Sequence, residues 1–486
     1  MSLKDIRQNR IDKLTKLKKL GINPYSMYSE KTATIEEILR NKKEIMEKGS
    51  ELVLAGRVRG LRSHGGSVFL HIEEDGKRLQ LFLRKDTLGE DAFKLFGDIV
   101  DIGDYIESRG NLFFTKTKEL TLEVKNWRIL SKSLRPLPDK WRGLQDDEIK
   151  YRKRYLDLIT NPDLRRKIQI RSKLISCLRD FLDKNDFMEV ETPILQNQAG
   201  GALARPFKTE LNALNIELYL RIAPELYHKR LIIGGLDKIY EIGRCFRNEG
   251  IDSSHNPEFT ELEFYWAYSN YEKLMDFTED MFRKILKVFP EEDFSKKISK
   301  YLNNSLPRLE YQNVLKDMAG IDCNKTNKKE LQALLAKKGL KKIKEGDKWT
   351  LIDEVFKKIC LKKIDYPFFL IHHPLPISPL AKRAEKDNNV AARFQLIIEG
   401  LEIVNAYSEL NDPLEQKERF EKQKKRAQEG EKEIHPYDKD FIEALEYGMP
   451  PTAGWGMGID RLAALLTNSL SIKEVILFPL MRPKKN

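Results

Sequence analysis

The sequence predicts a multidomain α+β protein, a small β-barrel followed by a larger domain of mixed strands and helices, and three observations predict it. A chain of 486 residues has room for about three domains. Five short runs that alternate apolar and polar residues crowd into roughly 51–130, with glycine-containing turns between them. Beyond about residue 150, strand-like runs are interspersed with helical periodicity as far as the C-terminal end.

The composition bounds the function. Lys and Arg number 87 against 75 Asp and Glu, a net charge of +12, and that excess favours a polyanionic partner. An ordinary solvated surface would also carry many charges, so charge alone does not select nucleic acid. Hydrophobic residues at 41% exclude wholesale disorder. No run of about 18 apolar residues occurs, which removes a membrane-spanning helix, and the first residues lack the apolar core of a secretory signal. Cys177, Cys245, Cys323 and Cys360 are far apart without zinc-site spacing, so a reducing cytoplasm is expected. His372 and His373 would point to opposite faces of a strand, which makes a shared metal improbable.

Residues 1–50 form a basic helical extension. In the first 20 residues seven Lys and Arg face two Asp, while Leu3, Ile6, Leu14 and Leu17 recur near helical spacing. Such a helix suits either a phosphate backbone or docking on the protein through its apolar stripe. The runs LVLAGRVRGLR, SVFLHIEED, KRLQLFLRK, DYIESRGNLFF and ELTLEVKNWRIL then supply the five strands of a closed barrel. Pro136 and Pro138 mark 131–149 as a linker. Asn161 and Pro162 suit the N-cap and first turn of a helix whose apolar face includes Leu164, Ile168, Ile175, Leu178 and Phe181. FMEVETP is a strand halted before Pro193. A Lys-rich helical insertion spans about 290–360.

Three stretches depart from what packing alone would choose. In residues 238–268 a strand, a polar loop and a second strand follow one another. Leu262, Phe264 and Trp266 share one face of the second strand, and Phe259, Glu261, Glu263 and Tyr265 the other. Arg247, Glu249 and His255 add a phosphate-binding fork, an acceptor and a donor beside the stacking surface of Phe259. In residues 448–466, Gly454, Gly456 and Gly458 alternate with Trp455 and Met457, leaving one strand face as bare backbone. Arg461 follows in the first turn of a helix, where a cation opposes the macrodipole. A bound anion or a salt bridge to Asp460 would offset that cost. In residues 393–413, Asn405, Tyr407 and Glu409 share a strand face, with Glu402 out of phase unless a bulge intervenes. Carboxylates on a buried strand call for a cation, either Mg²⁺ or an ammonium.

These stretches resemble the class II aminoacyl-tRNA synthetases, and specifically the bacterial-type lysyl-tRNA synthetase family. FMEVETPIL is similar to the family's first motif, FRNEG with HNPEFT to the second, and GMGIDRL to the third. GGALARPF, YLRIAPELYHKRL, ISPLAKR, NAYSELNDP and ILFPLMRP resemble runs of the lysyl branch. The resemblance covers nearly the whole chain and implies an OB-fold anticodon-binding domain over 51–130. Over 150–486 it implies a catalytic domain built as an antiparallel sheet flanked by helices.

By that resemblance, Arg247 holds the α-phosphate of ATP and the substrate carboxylate, and Glu249 meets the adenine amino group. Phe259 stacks on adenine, His255 and Asn256 steady the phosphates, Gly458 borders the nucleotide, and Arg461 sits on the γ-phosphate. Arg247 and Arg461 are the implied catalytic pair. Gly201 and Glu225 hold the lysine α-amino group, Asn405 assists at the carboxylate, and Glu263, Tyr265, Tyr407 and Glu409 form the side-chain pocket, with Glu409 on the ε-ammonium. Phe69, Gln80 and Glu119 match anticodon contacts. The implied partners are tRNA, ATP, L-lysine, Mg²⁺ at Glu402 and a second copy in a homodimer. The chain departs from the pattern at Gln395, where many members have a glutamate that shares Mg²⁺, and Glu399 is a candidate substitute. The alternatives are an aspartyl- or asparaginyl-type ligase, a lysine ligase acting on a protein, and an RNA-binding paralogue without activity. The acidic pocket, the barrel and the intact Arg247, Glu249 and Arg461 weigh against each in turn.

Overall fold

The computed structural model describes residues 2–138, 144–198, 200–202, 204–340, 347–428 and 437–483. The predicted linker and helical insertion therefore lie partly outside the described residues. The chain divides into two compact units, Met1–Pro162 and Asp163–Asn486.

The first unit opens with the helix Leu3–Lys19, started by a capping box between Ser2 and Asp5. Of the two uses open to this basic helix, docking is the one seen. Leu17 packs with Ile99 and Ile129, and Lys13 and Lys16 pair with Asp101 and Asp98 at 2.7 and 2.9 Å. Buried Arg10 donates to the carbonyls of Ile102, Ser133 and Arg135. A second helix, Ile35–Lys48, leads into the barrel.

The five alternating runs become β1 (Leu52–His64), β2 (Ser67–Glu74), β3 (Lys77–Arg84), β4 (Tyr105–Phe114) and β5 (Leu120–Ser131). They close in the order β1-β2-β3-β5-β4, the parallel β3–β5 pair sealing the cylinder. Alternate residues such as Leu54, Leu70, Leu81, Ile106 and Leu122 fill the interior, and Phe96 joins them from the helix Glu90–Ile99. The start of the proline-containing segment remains tied to the barrel. Lys132, fully buried, donates to Asp101, Asp104 and the Ile99 carbonyl, a set that uses all three ammonium protons.

The second unit contains β6 (Met188–Glu189), β7 (Leu195–Gln196), β8 (Lys208–Leu211), β9 (Ile216–Leu220), β10 (Lys238–Phe246), β11 (Glu258–Ala267), β12 (Arg308–Glu310), β13 (Phe368–Ile371), β14 (Arg393–Ile398), β15 (Leu401–Ser408) and β16 (Thr452–Gly458). Eight of them form one sheet in the order β12-β13-β14-β15-β16-β11-β10-β6, antiparallel except at its two edges. Strands β7, β9 and β8 form a separate small sheet.

One face of the large sheet is core. Leu262, Phe264, Leu396, Val404, Trp455 and Met457 pack there against the helices Pro162–Asp183, Tyr271–Val288 and Ile459–Leu466. Trp455 stacks on Phe264 with ring centroids 4.8 Å apart, and its indole N–H donates to Thr278 at 2.9 Å. The Lys-rich stretch adds the helices Tyr311–Ala319, Lys328–Lys337 and Lys348–Val355 around a second core of Leu315, Leu331, Leu335 and Leu351. That stretch also supplies edge strand β12. Among the described residues no helix is long and apolar enough to cross a membrane.

Gly110 tests the barrel closure. It sits at a register shift between β4 and β5, and a Cβ there would lie 1.8 Å from the Glu123 carbonyl oxygen. Gly110→Ala is expected to destabilise the chain by about 1–3 kcal/mol, measured as a lowered midpoint in urea unfolding of the barrel unit's signal.

Candidate active site

The face of the sheet opposite Trp455 carries the chemistry. Strict alternation turns Phe259, Glu261, Glu263 and Tyr265 of β11 toward it, and Gly454, Gly456 and Gly458 lie beside them on β16. The bulge that would bring Glu402 into phase is present. Val404 pairs with Leu396 but Glu402 pairs with Ile397, so Ile403 is the extra residue that brings Glu402 to the face of Asn405 and Tyr407. The result is a cleft of about 450 Å³. Arg247, Glu249, His255, Asn256, Phe259, Glu402, Gly458 and Arg461 line one part of it. Gly201, Glu225, Glu263, Tyr265, Asn405 and Tyr407 line another. Every residue expected at the nucleotide and amino-acid sites thus reaches this cleft except Glu409. That carboxylate is buried over the cleft-side face of the bare strand, where a Cβ on Gly454 would fall 2.1 Å from its Oε1.

The part of the cleft around His255 and Arg461 is ordered by the loop between β10 and β11. The Asp252 carboxylate accepts from the backbone N–H groups of Ser254 and His255 at 2.7 and 2.8 Å. Burial works against its ionisation, yet these donors and the His255 ring hold it down to about 2. The His255 ring sits between that carboxylate, 2.9 Å from Nδ1, and the Arg461 guanidinium, 3.1 Å from Nε2. Arg461 also donates to the Glu402 carbonyl at 3.1 Å. It does not pair with Asp460 as one alternative had it. Asp460 instead accepts from Arg171 at 2.8 Å and from the Thr260 N–H at 2.9 Å. The Arg247 guanidinium lies 4.8 Å over the Phe259 ring and 3.9 Å from Glu261. Buried Arg247 Nε and Asn256 Oδ1 have no hydrogen-bond partner among the described residues, so both are ready to bind a ligand.

The part around Glu225 and Glu263 is acidic. Tyr265 donates to Glu263 at 3.0 Å, and Tyr407 to Glu225 at 2.6 Å. Behind Glu263, the His228 ring lies 3.7 Å away and contacts Glu241 at 3.0 Å, which in turn pairs with Arg221. Burial and then repulsion from Glu263 push the Glu261 carboxyl up to about 7, against the pull of Arg247. Burial likewise raises Glu409, with Glu225 and Glu263 adding to it and Lys229 opposing. Arg393 donates to Asn405 Oδ1 at 2.9 Å and fixes its amide.

Sequence reasoning missed Lys229, His228, Glu241, Arg221 and the role of Glu261. Their only local signal was polarity on a short helix and on the exposed phase of a strand. Glu399 is not a substitute ligand: it stands in the β14–β15 turn and pairs with Lys297, outside the cleft. Gln395 donates to Glu402 at 2.8 Å and accepts from the buried His373 ring at 3.1 Å. Burial, reinforced by Arg393, holds that ring well below its ordinary range, so His373 is neutral.

On the barrel, the side chains of Phe69, Gln80 and Glu119 come together. Phe69 is half-buried on the outer face rather than in the interior, stacked on Phe82 at 4.4 Å. Gln80 donates to Glu119 at 2.9 Å, and the His71 ring lies 3.0 Å from the same carboxylate. His71 and Phe82 extend the patch beyond what the sequence indicated.

The comparisons with known proteins agree with this geometry. Residues 146–482 match the model of the class II tRNA synthetases (D, K and N), and residues 52–130 that of an OB-fold nucleic acid binding domain. The lysine–tRNA ligase of Carboxydothermus hydrogenoformans is 45% identical over 99% of both chains. That of Thermosipho melanesiensis is 43% identical over 99% of this chain and 97% of its own. That of Aquifex aeolicus is 49% identical over 89% of this chain and 73% of its own. With these similarities spanning nearly the whole length, the chain belongs to the class II tRNA synthetases and, within them, to the lysine–tRNA ligases.

Proposed function

We propose that the cleft activates L-lysine with ATP and passes it to the 3′ end of tRNA, with the side chains divided between a cationic end and an acidic end. The observation that carries this reading is the mixed polarity of one cleft: Arg247 and Arg461 line it beside His255, and Glu225 and Glu263 line it beside Tyr407 and Tyr265, with Glu409 over the bare Gly454. A substrate with a carboxylate and two ammoniums fits that polarity, with its carboxylate at Arg247. The side chain of aspartate or asparagine would meet an excess of carboxylates there, Glu225, Glu263 and Glu409 against the single cation Lys229.

In this account the lysine carboxylate oxygen attacks the α-phosphorus in line, the bond to the bridging oxygen breaks, and pyrophosphate leaves. Arg247 holds the α-phosphate and carboxylate together, and Arg461 takes the γ-phosphate with His255 and Asn256 beside it. Phe259 offers adenine its face, Glu249 the acceptor for its amino group, and the bare Gly458 lets the nucleotide approach. The terminal ribose 3′-hydroxyl then attacks the lysyl carbonyl and AMP leaves. Gly201 and Glu225 take the α-ammonium, and Asn405, held by Arg393, assists at the carboxylate.

No group of three His, Cys, Asp or Glu able to hold a metal occurs among the described residues. Glu402 alone suits a magnesium ion held mainly by ATP phosphates and water. Gln395 would add its amide oxygen only after turning its donor away from Glu402. Bound with ATP, Mg²⁺ supplies neutralisation of phosphate charge. On the barrel, Phe69 and Phe82 offer a stacking platform, with Gln80 and Glu119 as polar neighbours, for anticodon bases. We further assign a homodimer through the first-motif segment, where Met188, Ile194 and Leu195 are exposed apolar residues. The four buried, unbridged cysteines suit a reducing cytoplasm.

ATP–pyrophosphate exchange across the amino acids tests the main reading. Exchange with lysine and none with aspartate or asparagine is expected; exchange with aspartate alone would overturn it. For the barrel, Phe69→Ala is expected to lower tRNA charging by about tenfold or more, the worth of one stacked base, while exchange stays within about twofold. An unchanged charging rate would remove Phe69 from the RNA contact.

A further inference from the structure

Lys229 has no part in the assignments above, yet it is the most completely enclosed cation of the amino-acid end. It lies on the short helix Glu225–Ile233, one turn after Glu225, with its side chain fully buried. Its ammonium is 2.6 Å from Glu225 Oε1 and 2.5 Å from Glu409 Oε2. The rings of Tyr407 and Phe441 each stand 5.7 Å away. A lysine ammonium inside the protein therefore already occupies the ground between two carboxylates that the preceding reading gives to the substrate.

The charge arithmetic of this end explains why. Glu409, just past β15, faces Glu225 and Lys229 from the helix, Glu263 and Tyr265 from β11, Tyr407 from β15 and the bare Gly454 from β16. Arg393 on β14 acts on Tyr407, and His228 is turned to Glu241 and Glu263. Three carboxylates without Lys229 would exceed the two ammoniums of a lysine substrate by one buried charge. With Lys229 present, the substrate's two ammoniums balance the set. Neither Glu409 oxygen has a hydrogen-bond partner among the described residues; Oε2 takes the ion pair with Lys229, and Oε1 is left for the incoming group.

We propose that Lys229 is a positioning residue for the amino-acid pocket: its ammonium bridges Glu225 and Glu409, fixes their separation, and reserves one oxygen of Glu409 for the substrate's terminal ammonium. The proposal rests on the assignment of this pocket to lysine. It carries a consequence for pH. Lys229 pulls the Glu409 carboxyl down against burial and against Glu225 and Glu263. Below its titration Glu409 is protonated and cannot pair with an ammonium, so kcat/KM for lysine has an acid limb. Removing Lys229 raises that carboxyl further and moves the limb to higher pH.

The test compares wild type with Lys229→Met and Lys229→Gln by ATP–pyrophosphate exchange from pH 6 to 9. Expected is a rise in KM for lysine of about tenfold or more, equivalent to about 1.4 kcal/mol, with KM for ATP within about threefold and the acid limb displaced upward. A lysine KM and acid limb both unchanged, or equal losses for lysine and ATP, would overturn the proposal. Glu409→Gln separates the two levels of inference. If it leaves lysine KM unchanged the pocket assignment fails, whereas a large effect there with none at Lys229 defeats this proposal alone. Should neither Lys229 variant fold, ¹⁵Nζ-lysine NMR of the wild-type chain decides. A slowly exchanging buried ammonium signal that shifts on adding unlabelled lysine supports the bridge, and no such response overturns it.

Discussion

The constraint on which the second unit depends is the two-sidedness of β16. Ala453, Trp455 and Met457 point into the core, and the intervening Gly454, Gly456 and Gly458 leave the opposite side without side chains. Trp455 anchors the strand through its stack on Phe264 and its hydrogen bond to Thr278, so the bare face is held rigidly. Because β16 pairs with β11 on one side and β15 on the other, the carboxylates and rings of both neighbours converge over it. A strand with ordinary residues at those three positions would fill the cleft it now floors.

Around that floor the molecule pays a desolvation cost to keep ions buried, and it does so in chains rather than isolated pairs. Arg221, Glu241, His228 and Glu263 follow one another behind the tyrosines, and Lys229 links Glu225 to Glu409. Each member orients the next, which suits a site that must present several charges at fixed positions before a ligand arrives. The cationic part of the cleft uses the same economy of motion: Asp252 orients His255, and His255 meets Arg461.

Much of this was legible in the sequence because it rests on local period. Alternation put Leu262 and Phe264 on the core face and Glu263 and Tyr265 on the opposite one, and the glycine spacing of β16 identified a bare face. The phase mismatch of Glu402 left room for a bulge, which is found at Ile403. The five barrel strands followed from the same pattern. Pairings made across long separations were not legible. Lys229 and His228 sit in a polar run that could equally face solvent, Asp460 finds its partner in Arg171 on a distant helix, and Phe82 meets Phe69 only once the barrel has closed. The Lys-rich stretch resembled a helical insertion, and its contribution of β12 to the sheet edge depends on β13, some sixty residues later.

The central claim is that the bare face of β16 makes the amino-acid pocket. Calorimetric binding of lysine to Gly454→Ala tests it most directly, since the new Cβ would lie 2.1 Å from Glu409 Oε1 and 2.6 Å from the Tyr265 ring. A loss of lysine affinity of about tenfold or more is expected, with ATP binding close to that of the wild type. Lysine binding equal to that of the wild type would contradict it.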